Sequence, residues 1–198
     1  MGMITDLWDT TVVYRGRRYR TRAAYDTVLA VQQLYKDEEL SDLDKTTQAL
    51  RMLIKNPFLV SWMTVPYRIG LLEKIFEQQI KPDNERPTLA GQPRVVDFEL
   101  DGEYIYAAFL QDYGMDLIEQ QGKLHWKKFL ALFQGLSEDT RIKQIMQIRS
   151  MKEPQPTKYN QEQIQKIREL KSYYALPVQG GGQNGLNALF DTLERLAR

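Results

Sequence analysis

Between Asp101 and Met151 the chain carries three successive apolar patterns at helical spacing, broken at Gly114 with Asp116 and again at Gly135 to Ser137. Segments this short are marginal as isolated helices in water, so their apolar faces must be buried against one another or against the rest of the chain. That requirement sets the fold class as mainly α, a compact multi-helix domain. With 198 residues, 42% hydrophobic and 27% charged, the chain has the apolar material for such a core and lacks a disordered composition.

Upstream, Thr11 to Thr21 reads TVVYRGRRYRT and predicts a short N-terminal β-hairpin turning at Gly16. Arg22 to Lys36 has helical spacing, and a polar break at Asp37 to Leu40 follows it. Ser41 with Asp44 predicts an N-terminal cap for a helix presenting Leu43, Thr47, Leu50 and Ile54, which ends by Asn56-Pro57. The apolar segment from Pro57 to Thr64 leaves a buried strand, a short helix and a loop equally open. Thr64 then caps a helix begun by Val65-Pro66, with Ile69, Leu72, Ile75, Phe76 and Ile80 on its buried face. Residues 81 to 95, with three prolines, read as a loop or a boundary, and Val95 to Asp101 as a short strand or a turn.

Beyond Met151 a second proline-containing break precedes a helix to about Tyr174, with Asn160 and Gln163 as a capping-box-like start. Residues 179 to 185, QGGGQNG, form a flexible tether. It leads to a terminal amphipathic helix striped with Leu186, Leu189, Phe190, Leu193 and Leu196. The organisation is therefore residues 1–152 as a helical core with its hairpin, and 153–198 as a C-terminal helical extension on a glycine-rich tether.

Chemistry is sparse. The absence of cysteine excludes disulfides, thiolate metal sites and cysteine nucleophiles, and a single histidine removes the usual zinc spacings. Asp112, Asp116 and Glu119 lack a calcium-loop pattern, and Asp116 before an apolar step reads as a cap. His125 has no nearby serine in an elbow-like setting and opens the apolar face of Trp126, Phe129, Leu130 and Phe133, so it reads as a capping or packing residue. The glycine tether lacks the Gly-Lys-Ser/Thr ending of a phosphate loop. No catalytic residue, metal or cofactor is expected. The first thirteen residues show no secretory pattern, and no stretch has the roughly 18 to 20 uncharged residues of a membrane span. Arg15, Arg17, Arg18, Arg20 and Arg22 with Tyr14 and Tyr19 could form a nucleic-acid patch. The net charge of +1 favours instead an exposed hairpin whose charges keep other strands from pairing.

The central stretch resembles a bacteriophage family named after gene product fifteen of its founding phage. The resemblance rests on Asp97-Phe98, the IYAAFLQDYGMDL run from Ile105 to Leu117, His125-Trp126 with Lys128-Phe129, Ala131-Leu132, Gly135-Leu136 and Ile148-Arg149. The hairpin around Gly16 and the Asp37 to Lys45 segment are similar too. The likeness spans residues 10 to 152 and is most specific from 97 to 149.

It implies a phage tail-morphogenesis protein without catalytic residues, encoded ahead of the tape-measure gene, where tail assembly chaperones are found. Its partners would be the tape-measure protein and the major tail protein, with self-association, in the host bacterial cytoplasm and away from membranes and nucleic acid. The alternative is a structural tail or connector component retained in the virion. Trp126, Phe129 and Phe133, where exposed, and Leu186, Leu189, Phe190 and Leu193 on the terminal stripe are the candidate contacts for a partner or a second copy.

Overall fold

The computed structural model describes residues 10–81 and 95–177. Eight α-helices, a π-helical turn, a 3₁₀ turn and one antiparallel hairpin make up the regular structure of these residues, mainly α with a hairpin as the sequence predicts. The tether and the terminal stripe lie outside them. The described residues form two compact units interleaved along the chain: residues 10–81 with Gln120–Ala131, and residues 95–119 with 132–177.

In the first unit, strands β1 (Thr11–Tyr14) and β2 (Arg17–Arg20) pair in register, Val12 opposite Tyr19. The turn needs two residues at positive φ, and Arg15 (48°) and Gly16 (76°) supply them. Val12 and Tyr19 face inward and are buried, while the arginines face solvent. The chain then runs extended before α1 (Tyr25–Lys36). Helix therefore starts three residues later than the apolar spacing alone suggests, because Arg22 to Tyr25 are held by flanking backbone. The Arg22 amide donates to Leu53 O (2.7 Å), the Tyr25 amide to Leu124 O (2.9 Å), and the Trp126 amide to Ala23 O (2.8 Å).

Helix α2 (Asp42–Leu53) begins as predicted, with Ser41 Oγ accepting the Asp44 amide at 3.2 Å. Its buried face is rotated from the expected one. Thr46, Ala49, Leu50 and Leu53 are inside, Leu43 is exposed, and Thr47 accepts from Arg68 Nη1 at 3.1 Å. Ile54 is buried but lies past the helix, bridged to Thr21. The open segment after Pro57 is one helical turn, α3 (Phe58–Ser61).

Helix α4 (Val65–Ile75) buries Ile69, Leu71, Leu72 and Ile75; Thr64 holds the cap position with extended backbone but makes no side-chain cap bond. A π-helical turn, Phe76–Ile80, continues it and closes with the Lys81 amide donating to Phe76 O (2.8 Å). Gly70 lets β1 sit close to this helix: a Cβ there would stand 2.2 Å from Tyr14 Oη.

Residues 95–101 form a turn, not a strand. Asp97 Oδ1 accepts the amides of Glu99 and Leu100, at 2.8 and 3.1 Å. Helix α5 (Gly102–Tyr113) ends where Gly114 turns left-handed (φ 60°) and the Met115 amide reaches back to Phe109 O at 3.2 Å. Asp116 then takes the amide of Ile118 (2.8 Å), as a capping residue should.

After a 3₁₀ turn (Ile118–Gln120) come α6 (Trp126–Gln134), α7 (Arg141–Ser150) and α8 (Gln161–Tyr173). Asn160 does not cap α8. Its amide group is turned back into the preceding turn, accepting from the Thr157 amide and donating to Gln155 O.

The second unit packs Ile105, Phe109, Phe133, Leu136, Ile142, Ile145 and Ile164 inside. Its fixed point is polar. Arg149 makes a two-pronged contact to Asp101 (2.6 and 2.8 Å), donates to Val95 O (3.0 Å) and gives its Nε hydrogen to Tyr174 O (2.7 Å). Asp101 also accepts the Asp97 amide at 2.8 Å. With side chains only 9% and 2% exposed, the Arg149–Asp101 pair is desolvated and offset by a full set of hydrogen bonds.

Candidate partner-binding cleft

His125, the first residue that chemistry would draw on, is committed to structure. It is buried immediately before α6. Its Nδ1 faces the Lys127 amide at 3.2 Å, and since that amide can only donate, Nδ1 is the bare nitrogen. Nε2 therefore carries the proton and donates to Gln79 Oε1 at 3.0 Å, within reach because the π turn aims Gln79 inward. Burial, then the charges of Lys127 and Lys128, lower the imidazole from 6.5 to about 4. This histidine is neutral at pH 7, fixed in one tautomer and shielded from any substrate. Among the described residues no group of three or more His, Asp or Glu could hold a metal ion.

Trp126 and Phe129, offered by the sequence as contact residues wherever exposed, are each 1% exposed, and Phe133 is buried as well. Phe129 stacks on Tyr25 (centroids 4.9 Å apart) and on Trp126 (5.6 Å), while Phe133 meets Phe98 edge-on at 5.2 Å. An amphipathic helix with this many aromatics finds enough partners within its own chain to bury them, at about 2–3 kcal/mol for each ring. They are core, not surface. Leu186, Leu189, Phe190 and Leu193 lie outside the described residues.

A cluster of apolar side chains remains open elsewhere in the first unit. Trp62 is 90% exposed and Phe58 80%, with Leu59 beside them, all from α3 and the turn after it. Leu59 and Trp62, with β2 and the start of α4, bound a cleft of about 530 Å³ lined by Arg17, Arg18, Tyr19, Leu59, Trp62, Met63, Thr64 and Tyr67. Its floor is rigid. Tyr19 and Tyr67 share a hydroxyl hydrogen bond at 2.9 Å, and Tyr14 meets the Tyr67 ring edge-on at 4.9 Å. Arg15 lies over both the Tyr14 and Tyr67 rings, at 5.5 and 5.6 Å. Burial and the Tyr67 contact push the Tyr19 phenol up to about 12 against the opposing pull of Arg17, which hydrogen-bonds it, so it stays protonated.

No carboxylate lines the cleft, and neither Arg17 nor Arg18 has a salt-bridge partner among the described residues. The sequence left this segment undecided because Pro57 to Thr64 is mostly apolar and too short for periodicity to separate strand, helix and loop.

Residues 4–176, nearly the whole chain, match the family described as Bacteriophage Gp15 protein. The chain belongs to that family. No curated protein and no solved structure matches it. Membership in the Gp15 family makes this a bacteriophage structural or morphogenesis protein. The residues that carry the family likeness have physical roles in the structure: Asp97 builds the turn into α5, Arg149 locks Asp101, and His125-Trp126 starts α6 and fills the core. They hold the scaffold together. Among the described residues no helix is long and apolar enough to cross a membrane.

Proposed function

We propose that this Gp15 family protein is a non-enzymatic tail morphogenesis factor. In this reading it is a tail assembly chaperone that binds the tape-measure protein in the host cytoplasm and helps recruit the tail tube protein. The observation that carries the reading is the open cleft beside Trp62. A protein that only packs its own core has no use for a tryptophan 90% in water next to exposed Phe58 and Leu59. Six of the eight lining residues are Arg, Tyr, Trp or Met, the types enriched where proteins bind proteins. A client rich in amphipathic helices needs such a surface to keep its apolar faces from aggregating.

The test is co-expression with the tape-measure protein of the same phage. The reading expects the client to become soluble and to co-purify, and Trp62→Ala to reduce both. A client equally insoluble with and without this chain overturns it. Mass spectrometry of purified particles separates the alternative: a chaperone is missing from the finished virion, whereas a structural tail or connector component is present in many copies.

A further inference from the structure

We infer that the cleft takes an amphipathic helix that carries carboxylates on one flank of its apolar stripe. This rests on the reading above only in treating the cleft as the place where a partner seats; the partner's chemistry follows from the lining. The lining is of two kinds. Leu59, Trp62 and Met63 give it an apolar wall, and the exposed Arg17 and Arg18 on β2 give it a basic rim.

An occupant that only buried apolar surface would leave both guanidinium groups without a counter-charge at the edge of a dry contact, which costs affinity. An occupant with Glu or Asp beside its anchor residues fills the wall and pairs the rim in the forked geometry that arginine favours. That combination of one apolar face and an adjoining acidic flank is what an amphipathic helix displays every three to four residues. A strand added to β2 is less well served, because the Lys55 amide already donates to Arg20 O (2.9 Å) and Thr21 is bridged to Ile54.

A nucleic acid would also be drawn to the arginines. The apolar wall argues against it: within the lining only Trp62 presents a largely exposed ring, and Leu59 and Met63 give a phosphate backbone nothing to bond.

The experiment uses the full chain and two fluorescently labelled synthetic peptides of about five helical turns. Both share one leucine stripe; one has glutamates flanking it and the other lysines in the same places. A single-stranded oligonucleotide serves as a third probe. The glutamate peptide should bind at least roughly tenfold more tightly than its lysine twin. The double variant Arg17→Gln with Arg18→Gln should erase that preference while retaining weak binding of both. Trp62→Ala should weaken both peptides alike, and circular dichroism would check that the variants keep their helix content.

Equal affinity for the two peptides, or binding indifferent to Trp62→Ala, overturns the inference. So does an oligonucleotide that binds through Arg17 and Arg18 with steep salt dependence and displaces the glutamate peptide. If the peptides fail but the tape-measure protein is still made soluble, the cleft chemistry is wrong and the chaperone reading stands. If the glutamate peptide binds as expected and the tape-measure protein does not, the reverse holds.

Discussion

Lowering the pH should destabilise the first unit through one residue. His125 has a folded pKa near 4 against an ordinary value of 6.5, lowered first by burial and then by Lys127 and Lys128. The unfolded chain therefore binds the proton more readily than the folded one. The stabilisation is complete above pH 6.5 and is lost as the pH falls from 6.5 towards 4. At about 1.4 kcal/mol per tenfold change in proton affinity, the full effect is capped at about 3 kcal/mol. About 2 kcal/mol of it disappears between pH 7 and pH 5.

The structure says why the proton is unwelcome. A second proton would sit on Nδ1, break the acceptor bond to the Lys127 amide and place a cation at the positive end of α6. Urea denaturation at pH 7, 6 and 5 measures the loss. Glu73 shifts the opposite way, its carboxyl raised by burial and by Glu77, so the control is the variant His125→Asn. Asparagine can still accept the Lys127 amide hydrogen but does not titrate, and its stability should be nearly flat over the same range. Because His125 is the only histidine, its imidazole proton resonances report the pKa directly. A pKa at or above 6.5, or the same pH-dependent loss in His125→Asn, would refute the reasoning.

Other perturbations have equally definite outcomes. Gly70→Ala puts a methyl group 2.2 Å from Tyr14 Oη and 3.0 Å from its Cζ, so the hairpin must move, at about 1–3 kcal/mol; adding Tyr14→Leu should restore the urea midpoint, whereas Tyr14→Phe should recover only part. Asp101→Asn leaves Arg149 buried against a neutral partner and should cost about 3 kcal/mol, with the double variant Asp101→Asn, Arg149→Met less destabilised than the sum of the single changes. Ser41→Ala removes the cap on the Asp44 amide and should cost about 1 kcal/mol by the same denaturation assay.

The elements that depend on local signals are legible in the sequence. Gly16 marks the hairpin turn, Ser41 the cap of α2, Gly114 the end of α5 and Asp116 the step after it, because each acts through its own neighbours. What depends on distant backbone is not legible. Nothing near Arg22 announces that Leu53 and Leu124 will hold residues 22 to 25 extended, and nothing near Asp101 names Arg149 as its partner. The rotated face of α2 has the same origin. Thr46 and Thr47 are alike in sequence, and in the fold Thr46 is buried while Thr47 meets Arg68, twenty-odd positions away.

The site was hardest to read. The aromatics that look like contacts on a helical wheel, Trp126 and Phe129, are consumed by the core, and the exposed ones sit in a mostly apolar segment too short to show a face. Tyr19 and Tyr67 become a cleft floor only once β2 and α4 meet.

The interleaving of the two units also bears on how the protein is made. A nascent chain that has emerged only as far as Lys81 holds the hairpin and α1 to α4, yet Ala23 and Tyr25 still lack the backbone of Leu124 and Trp126 that closes their edge. Before that edge can form, the ribosome must also deliver residues 95–119, which belong to the other unit. The first unit is therefore begun, interrupted and completed only after a wait of some fifty residues at roughly 5–20 residues per second. During those seconds the surface meant for Trp126 and Phe129 is open to water.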